Sequence, residues 1–512
     1  VAAVAVLAAC SQTSAAKSTG TSARDQSLVI AENEPPASFD PIQADNSTVD
    51  EVDLPAYDTL ITYNKSIKLV GSLAKSWSVS SDGKTVKFVL RSGVTFHDGT
   101  KLTATDVKYT LDRVKAINIG VASLLSAYSS STVTDATHLT IKLSSADATF
   151  VPSLVRLYIV NAALVQKHLG KDNGQSWLAT HDAGSGPYEL KSYTSNQSAT
   201  FTQYPKYWGG FSGQAKTVVF NYLSGGPAEE AALKSGDVDI AMDIDPSDWS
   251  TLAKQGYTVQ KDSTNVVLYA FFNMDGAATK NVALREAIAY AYNYNQHVTS
   301  ILKGAGKTVT GPMPSTMQCA ATAGVAQPTY DLAKAKQIVA ANHLAGTTVT
   351  MTYLQATSEM EQAAALLQSS LAQIGITLKL DSVTYPAYAT LASNPSTRPD
   401  IGMIYAFPAI PDASAILYQN YDSKFIGAGQ NWSGFSDPQV DSLLAAAQTS
   451  TSQATRCADY TKVQDIVSKQ YVAINMANSK YVTVYDSRVK GYTYQSWHHQ
   501  TVDVYAITLK NK

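Results

Sequence analysis

Few residues in this chain could carry covalent chemistry. Gly306-Lys307-Thr308 resembles the close of a phosphate-binding loop, in which backbone N–H groups cradle phosphate and the lysine reaches it. The first glycine of that motif falls on Ile301, and the segment follows a helix instead of opening one. It therefore reads as a helix C-terminal glycine and loop. Gly184-Ser185-Gly186-Pro187-Tyr188 could be mistaken for a nucleophile loop, but G-x-S-x-G occurs neither there nor elsewhere. His498 and His499 are adjacent. Adjacent residues of an extended chain point apart, so a surface turn is expected instead of a shared metal ion. Cys10, Cys319 and Cys457 form no C-x-x-C pair, and H-E-x-x-H is absent. No metal and no other cofactor is expected. Carboxylates are numerous enough to leave a glycosidase-type pair open. A surface-tethered hydrolase is thus the rival class, and it would need an acid/base or nucleophile positioned in a cleft. The 29 tyrosines each offer an apolar face and a hydroxyl, which suits peptides, sugars and interfaces; most are expected in ordinary packing.

Composition bounds the rest. The 512 residues are 45% hydrophobic and 16% charged, a globular balance for a chain of several domains. Basic and acidic residues number 39 and 41, for a net charge of −2, with no run of Lys or Arg. Nucleic acid is therefore not an expected partner. After residue 10 no apolar stretch approaches the ~20 residues that span a bilayer.

Residues 1–10, VAAVAVLAAC, form an apolar run ending in one cysteine, like the h-region of a secretory signal. Leu7-Ala8-Ala9-Cys10 resembles the bacterial lipobox, in which a peptidase cuts before a lipidated cysteine. Residues 11–27 are rich in Ser, Thr and Ala without periodicity and read as a flexible tether. Together these predict a folded part outside the cytoplasmic membrane, held to it by lipid on Cys10.

Elements that could position a site begin at Leu28. Leu28–Ala31 predicts a strand, followed by a Pro-containing loop from Glu32 to Pro41. Trp77 and Val79 alternate before Asp82-Gly83, and Val86, Phe88 and Leu90 after it, which predicts a hairpin. Thr103 with Asp106 predicts a capped helix that buries Val107, Leu111 and Val114. Thr217–Leu223 predicts a strand, Pro227 to Gly236 a helix, and Val238–Met242 a further strand. Val349, Met351 and Tyr353 alternate. Met360, Ala364, Leu367, Leu371 and Ile374 share a helix face, and Ile376, Leu378 and Leu380 alternate again. Strand, helix and strand within about 30 residues make a βαβ crossover. Ser436-Asp437-Pro438-Gln439 opens another helix.

The stretch LVGSLAKSWSVSSDGKTVKFVLRSGVTFHDGTKLTATDVKYTLDRV, residues 69–114, resembles the signature of the family 5 solute-binding proteins of ABC importers. GSGPYEL at 184–190, YPKYWGG at 204–210, LKSGDVDIAM at 233–242, NVALREAIAYAYNYNQHV at 281–298, IGITLKL at 374–380 and DPQVDSLLAAA at 437–447 follow in family order, with Asn293 in place of the usual Asp. The resemblance covers roughly residues 28–505.

The resemblance implies an α/β fold, periplasmic-binding-protein-like of the cluster C type: two mixed-sheet lobes, an extra third lobe and a two-segment hinge. Lobe I would comprise 28–47, 183–270 and 481–512, lobe II 48–182 and lobe III 271–480, with crossings near Ala270 and Tyr481. It implies an extracytoplasmic, monomeric, non-enzymatic binding subunit that delivers an oligopeptide-like ligand to permease subunits driven by cytoplasmic ATPases. Oligosaccharides or other solutes are the alternative ligands, and a sensor or adhesin without a permease the alternative role. Cys319 and Cys457 would both fall in lobe III and could pair in an oxidising compartment, or remain two buried thiols. Ligand contacts are expected from three segments: Glu32–Phe39 (Glu32, Ser38, Phe39), Gly184–Tyr188 (Gly186, Tyr188) and Tyr405–Asp412 (Tyr405, Phe407, Asp412). The alternation of Met403, Tyr405 and Phe407 equally suits a buried strand face. Peptide-binding members pair the ligand ammonium with an Asp three residues before an acidic-Pro pair. Aligning Asp412 with the acid of that pair puts Ala409 at the anchor, so no amine anchor of that kind is expected. Asp412 could substitute, or could cap the helix that follows.

Overall fold

The computed structural model describes residues 24–44, 47–321, 325, 328–355, 357–427, 430–498 and 501–510. The readings made for Cys10, for the residues before Arg24 and for His499 lie outside the described residues.

Two sheets organise the chain. The hairpin strands Ala74–Val79 and Thr85–Leu90 pair Trp77 with Phe88 and Val79 with Val86. Gly83 takes a φ of 68° at their turn, where a side chain would be strained. His138–Leu143 and Tyr128–Val133 complete a four-stranded antiparallel sheet. The helix Ala104–Ile117 has the expected capping box, with Thr103 and Asp106 each bonding the other's backbone. It buries Val107, Leu111 and Val114.

The second sheet has eleven strands and is mixed. At one end Ser27–Glu32 runs parallel to Thr217–Tyr222 and to Ile240–Ala241. At the other, Thr348–Leu354 and Thr377–Val383 run parallel around the helix Ser358–Ala372, which buries Met360, Ala364, Leu367 and Leu371. Two long antiparallel strands, Thr258–Phe272 and Ala473–Tyr485, join the two ends into one ladder. The two ends of the mixed sheet are thus continuous through these strands, whose pairing is interrupted. Their register breaks between Ser263 and Val267, opposite Lys480 and Asn478. The carbonyls freed there are satisfied locally. Asn478 Nδ2 donates to Thr264 O at 3.1 Å and to Val266 O at 2.6 Å, and Thr264 Oγ1 donates to Ser479 O at 2.5 Å. Tyr481 pairs with Asp262, and Ala270 with Ile474.

Gly306-Lys307 is a short strand paired with Ser479 and Asn478, not the expected loop. Its partner lies some 170 residues away, out of reach of local reading.

One hydrophobic core spans the first strand, the four-stranded sheet and the C-terminal segment; two others cover opposite faces of the sheet around Leu268–Phe272. Ile410 belongs to the first core although the strand before it, Ile401–Ala406, belongs to the far half of the sheet. The segment after that strand therefore reaches across the molecule.

Candidate functional site

The helix Ser47–Ala56 gathers all three expected ligand segments. Seven of its ten residues are buried, three of them acids: Asp50, Glu51 and Asp53. Buried carboxylates need partners or must take up protons, and these three do so in different ways. Asp50 is paired with Arg156 and accepts from Tyr158 Oη at 2.7 Å, with His498 Nδ1 at 3.0 Å. Asp53 has no hydrogen-bond partner on either oxygen, and burial, then Asp50, Asp40 and Asp182, pushes its carboxyl well above the usual range. Glu51 lines a cavity of about 180 Å³ beside Glu32, Asp243 and Tyr481.

Arg156, paired with Asp50 of this helix, reaches the third segment. It is 1% exposed, and its Nε donates to Ala409 O at 2.9 Å, while Nη2 has no partner. The backbone carbonyl of Ala409 is therefore taken by an arginine. Asp412 is buried; its Oδ1 accepts from Arg456 at 2.8 Å and from Ser414 N at 3.0 Å, at the start of the helix Ser414–Tyr421. It also lines a cavity of about 460 Å³ with Tyr63, Val151, Gln318 and Arg456. Tyr405 is half-buried and donates to Glu359 at 2.7 Å, a carboxylate that also meets His297 Nε2 at 3.1 Å and Ser479 Oγ at 3.2 Å. Along the alternation, Met403 is buried but Phe407 is 46% exposed, so the buried face ends before Phe407.

The second segment packs on the end of the same helix. A Cβ on Gly184 would lie 1.9 Å from Ala56 O, and one on Gly186 2.6 Å from Pro55 O. Only glycine permits this approach. His97, of the F-H-D-G motif, clamps the loop: Nδ1 meets Asp182 at 2.8 Å and Nε2 meets Gly186 O at 3.1 Å. Burial alone would push the imidazole's pKa down. The charge and hydrogen bond of Asp182, with the Gly186 carbonyl, outweigh burial and raise it. Stabilisation from His97 is therefore complete below the unfolded value of about 6.5 and is lost as pH rises through the raised folded value. His97→Leu should cost about 1–3 kcal/mol at pH 5.5, since Asp182 keeps its backbone donors. The gap to wild type should narrow at pH 9. Thermal melts of both proteins across that range check it, and a gap that widened with pH would contradict the assignment.

Several residues expected to touch ligand are buried and packed here. Tyr188 is fully buried and donates to Ala215 O at 2.9 Å. Phe39, 1% exposed, packs edge-on to Tyr193 at 4.8 Å. Ser38 Oγ accepts from Asp40 N at 3.0 Å within a buried turn. Gly186 serves the close approach just described. Glu32, by contrast, lines the acidic cavity. His498, expected in a surface turn, is 5% exposed, because Asp50 draws it inward. Cys319 and Cys457 are joined in a disulfide, with Cα atoms 4.8 Å apart. Sequence reasoning missed Asp50, Glu51, Arg156 and Asp243. The signal available was DEVD at 50–53, three acids in a segment otherwise apolar enough to bury.

Residues 68–428 match the family model described as "Bacterial extracellular solute-binding proteins, family 5 Middle". The chain belongs to this family. The family-5 chain is 29% identical over 487 residues to the probable D,D-dipeptide-binding periplasmic protein DdpA of Escherichia coli, covering 93% of each. It is 24% identical over 480 residues to the glutathione-binding protein GsiB of Shigella flexneri, covering 91% of each. Its fold matches the periplasmic binding protein DppA of Helicobacter pylori in complex with peptide STSA, with TM-score 0.79 and 23% identity over 95% of this chain and 98% of that one. It also matches the substrate-binding protein CtaP of Listeria monocytogenes, with TM-score 0.84 and 22% identity over 94% and 99%. Among the described residues no helix is long and apolar enough to cross a membrane.

Proposed function

We propose that this chain is the extracytoplasmic binding subunit of an ABC importer and captures a short peptide between its lobes. The observation that carries this reading is family membership joined to the geometry: the three segments converge on one helix beside two crossing strands. Relatives named for dipeptide and glutathione binding, and a like-folded protein bound to a tetrapeptide, support peptide over oligosaccharide. Lobe I takes 28–47, 183–270 and 481–512, lobe II 48–182 and lobe III 271–480. The break in register at Ser263–Val267 supports a hinge there, slightly before Ala270. Glu32, Tyr405, Phe407 and Asp412 remain candidate ligand contacts; Phe39, Ser38, Tyr188 and Gly186 hold the walls.

Such a protein needs no catalytic residue. Ligand that touches lobes I and III together stabilises the closed form, and a preference of about 10⁴ moves a 1:99 population to 99:1. A monomer tethered by lipid on Cys10 would hand its ligand to permease subunits driven by cytoplasmic ATPases. The test is mass spectrometry of small molecules released when the purified protein is denatured. Peptides in near-stoichiometric amount support the reading; oligosaccharides in their place would replace it. Hydrolysis of peptides or glycosides by the pure protein would move it to the rival class.

A further inference from the structure

The acidic cavity differs from the buried acid sites that hold an arginine. Asp40 holds Arg113, Asp50 holds Arg156, Asp412 holds Arg456, and Asp239 holds both Arg24 and Arg488. The cavity has Glu32 and Glu34 from the end of the first strand, Glu51 from the acidic helix and Asp243 from the segment after Ile240–Ala241. Glu229 stands behind Asp243, its Oε2 accepting from the Met242 and Asp243 amides at 2.9 Å. Among the described residues no lysine, arginine or histidine pairs with any of these five carboxyls. Glu51 supplies an independent sign. It is 3% exposed, lines the cavity, and its Oε1 has no hydrogen-bond partner.

Burial and like charge favour the neutral form of these carboxyls. Burial, then Glu32, Asp243, Asp50 and Glu229, pushes the Glu51 carboxyl well above its usual range. Burial, then Asp243 and Glu229, does the same to Glu32. Glu229 is pushed up to about 7, and burial raises Asp243. Among the described residues no group of three or more His, Cys, Asp or Glu side chains could hold a metal ion. The volume, about 180 Å³, admits a small group instead.

We propose that this cavity is a subsite for an organic cation, the ammonium or guanidinium group of the bound ligand. It rests on the peptide reading only for the ligand class, and the cation would be the peptide's α-ammonium or a basic side chain. The lobe III loop offers Ala409 and an arginine where an ammonium anchor would stand, and Asp412 is held by Arg456. The acids of the cavity would supply the counter-charge instead. Tyr481 closes the cavity from a crossing strand, so a cation seated there contacts the hinge as well as the helix.

Seating a cation favours the ionised carboxyls, so binding releases protons and tightens as pH rises through their raised range. The groups facing Glu51 are Glu32, Glu34 and Asp243 in the cavity wall, Glu229 from the helix Gly226–Ser235, Asp50 on its own helix, Tyr222 and Tyr481. None is cationic, so none reverses that sign.

The experiment is calorimetry at pH 5.5 and 7.5, in buffers of different ionisation enthalpy, with trialanine, N-acetyl-trialanine, N-acetyl-Ala-Lys-Ala and the diamine cadaverine. Wild-type protein should bind an ammonium-bearing probe about 30-fold or more tighter than N-acetyl-trialanine. Binding should release protons, and Glu51→Gln or Asp243→Asn should remove the difference. Preference for trialanine alone assigns the α-amine; equal preference for the lysyl probe assigns a side chain. Binding of cadaverine without any peptide keeps the subsite and ends the peptide reading. Equal binding of free and acetylated peptides, unchanged by Glu51→Gln, overturns the subsite and leaves the peptide reading standing. No binding by any probe overturns both.

Discussion

Arg156→Met should destabilise the ligand-free protein by about 3–5 kcal/mol, the usual result of removing one partner from a buried ion pair. Arg156 and Asp50 are 1% and 0% exposed. Methionine keeps the length and the apolar stem but leaves Asp50 without its arginine. The desolvation of Asp50 is then poorly compensated, and this, more than the lost attraction, sets the cost. The double variant Asp50→Asn with Arg156→Met should recover part of the loss, because no charge is then left buried. Melting of the three proteins at pH 7 checks the order. If the single variant melted with wild type, the pair would not be the buried link described here. The same change frees Ala409 O from Arg156 Nε. One tie between the acidic helix and the loop after Ile401–Ala406 is lost, so X-ray scattering of the ligand-free variant should show a larger radius of gyration than wild type.

The features legible in the sequence were those fixed by near neighbours. The Thr103–Asp106 capping box, the Asp82-Gly83 hairpin and the βαβ unit from Thr348 to Val383 each rest on residues close in the chain. The acidic hub is different. Asp50 meets Arg156 across 106 positions and His498 across 448. No spacing rule reports such pairs. His498 was misplaced for this reason: the geometry of two adjacent residues says nothing about which of them a distant carboxylate will cover. The cavity is assembled from one strand end, one helix and two later segments. Glu32 was legible in sequence as a ligand contact, but nothing near it in the chain tied it to Glu51 or Asp243. The F-H-D-G motif was legible as a signature, but its physical role, His97 clamping the loop at Gly186 above the end of the acidic helix, became readable only with Asp182 and Ala56 in place.

The second large effect should come from the disulfide. Cys319 and Cys457 close a loop of 138 positions. In the chain-entropy model a closure of that length contributes about 5 kcal/mol by restricting the unfolded chain. The measured loss for Cys319→Ser with Cys457→Ser should be smaller, about 2–4 kcal/mol, because such models overstate closures of long loops. The local structure also has other ties. Gln464 Nε2 donates to Cys319 O at 2.9 Å, and its Oε1 accepts from Ala321 N at 2.9 Å. These bonds keep the segment docked on the helix Gln453–Lys469 after the sulfurs are gone. Loosening should therefore be local, with amide exchange rising at 313–321 and staying unchanged in the helix Ser47–Ala56, which belongs to another core. Dithiothreitol should lower the melting point of wild type and leave the double variant unchanged. Two titratable thiols at 319 and 457 in denatured, unreduced protein would show that the bond does not form, and the expected loss would then have no source.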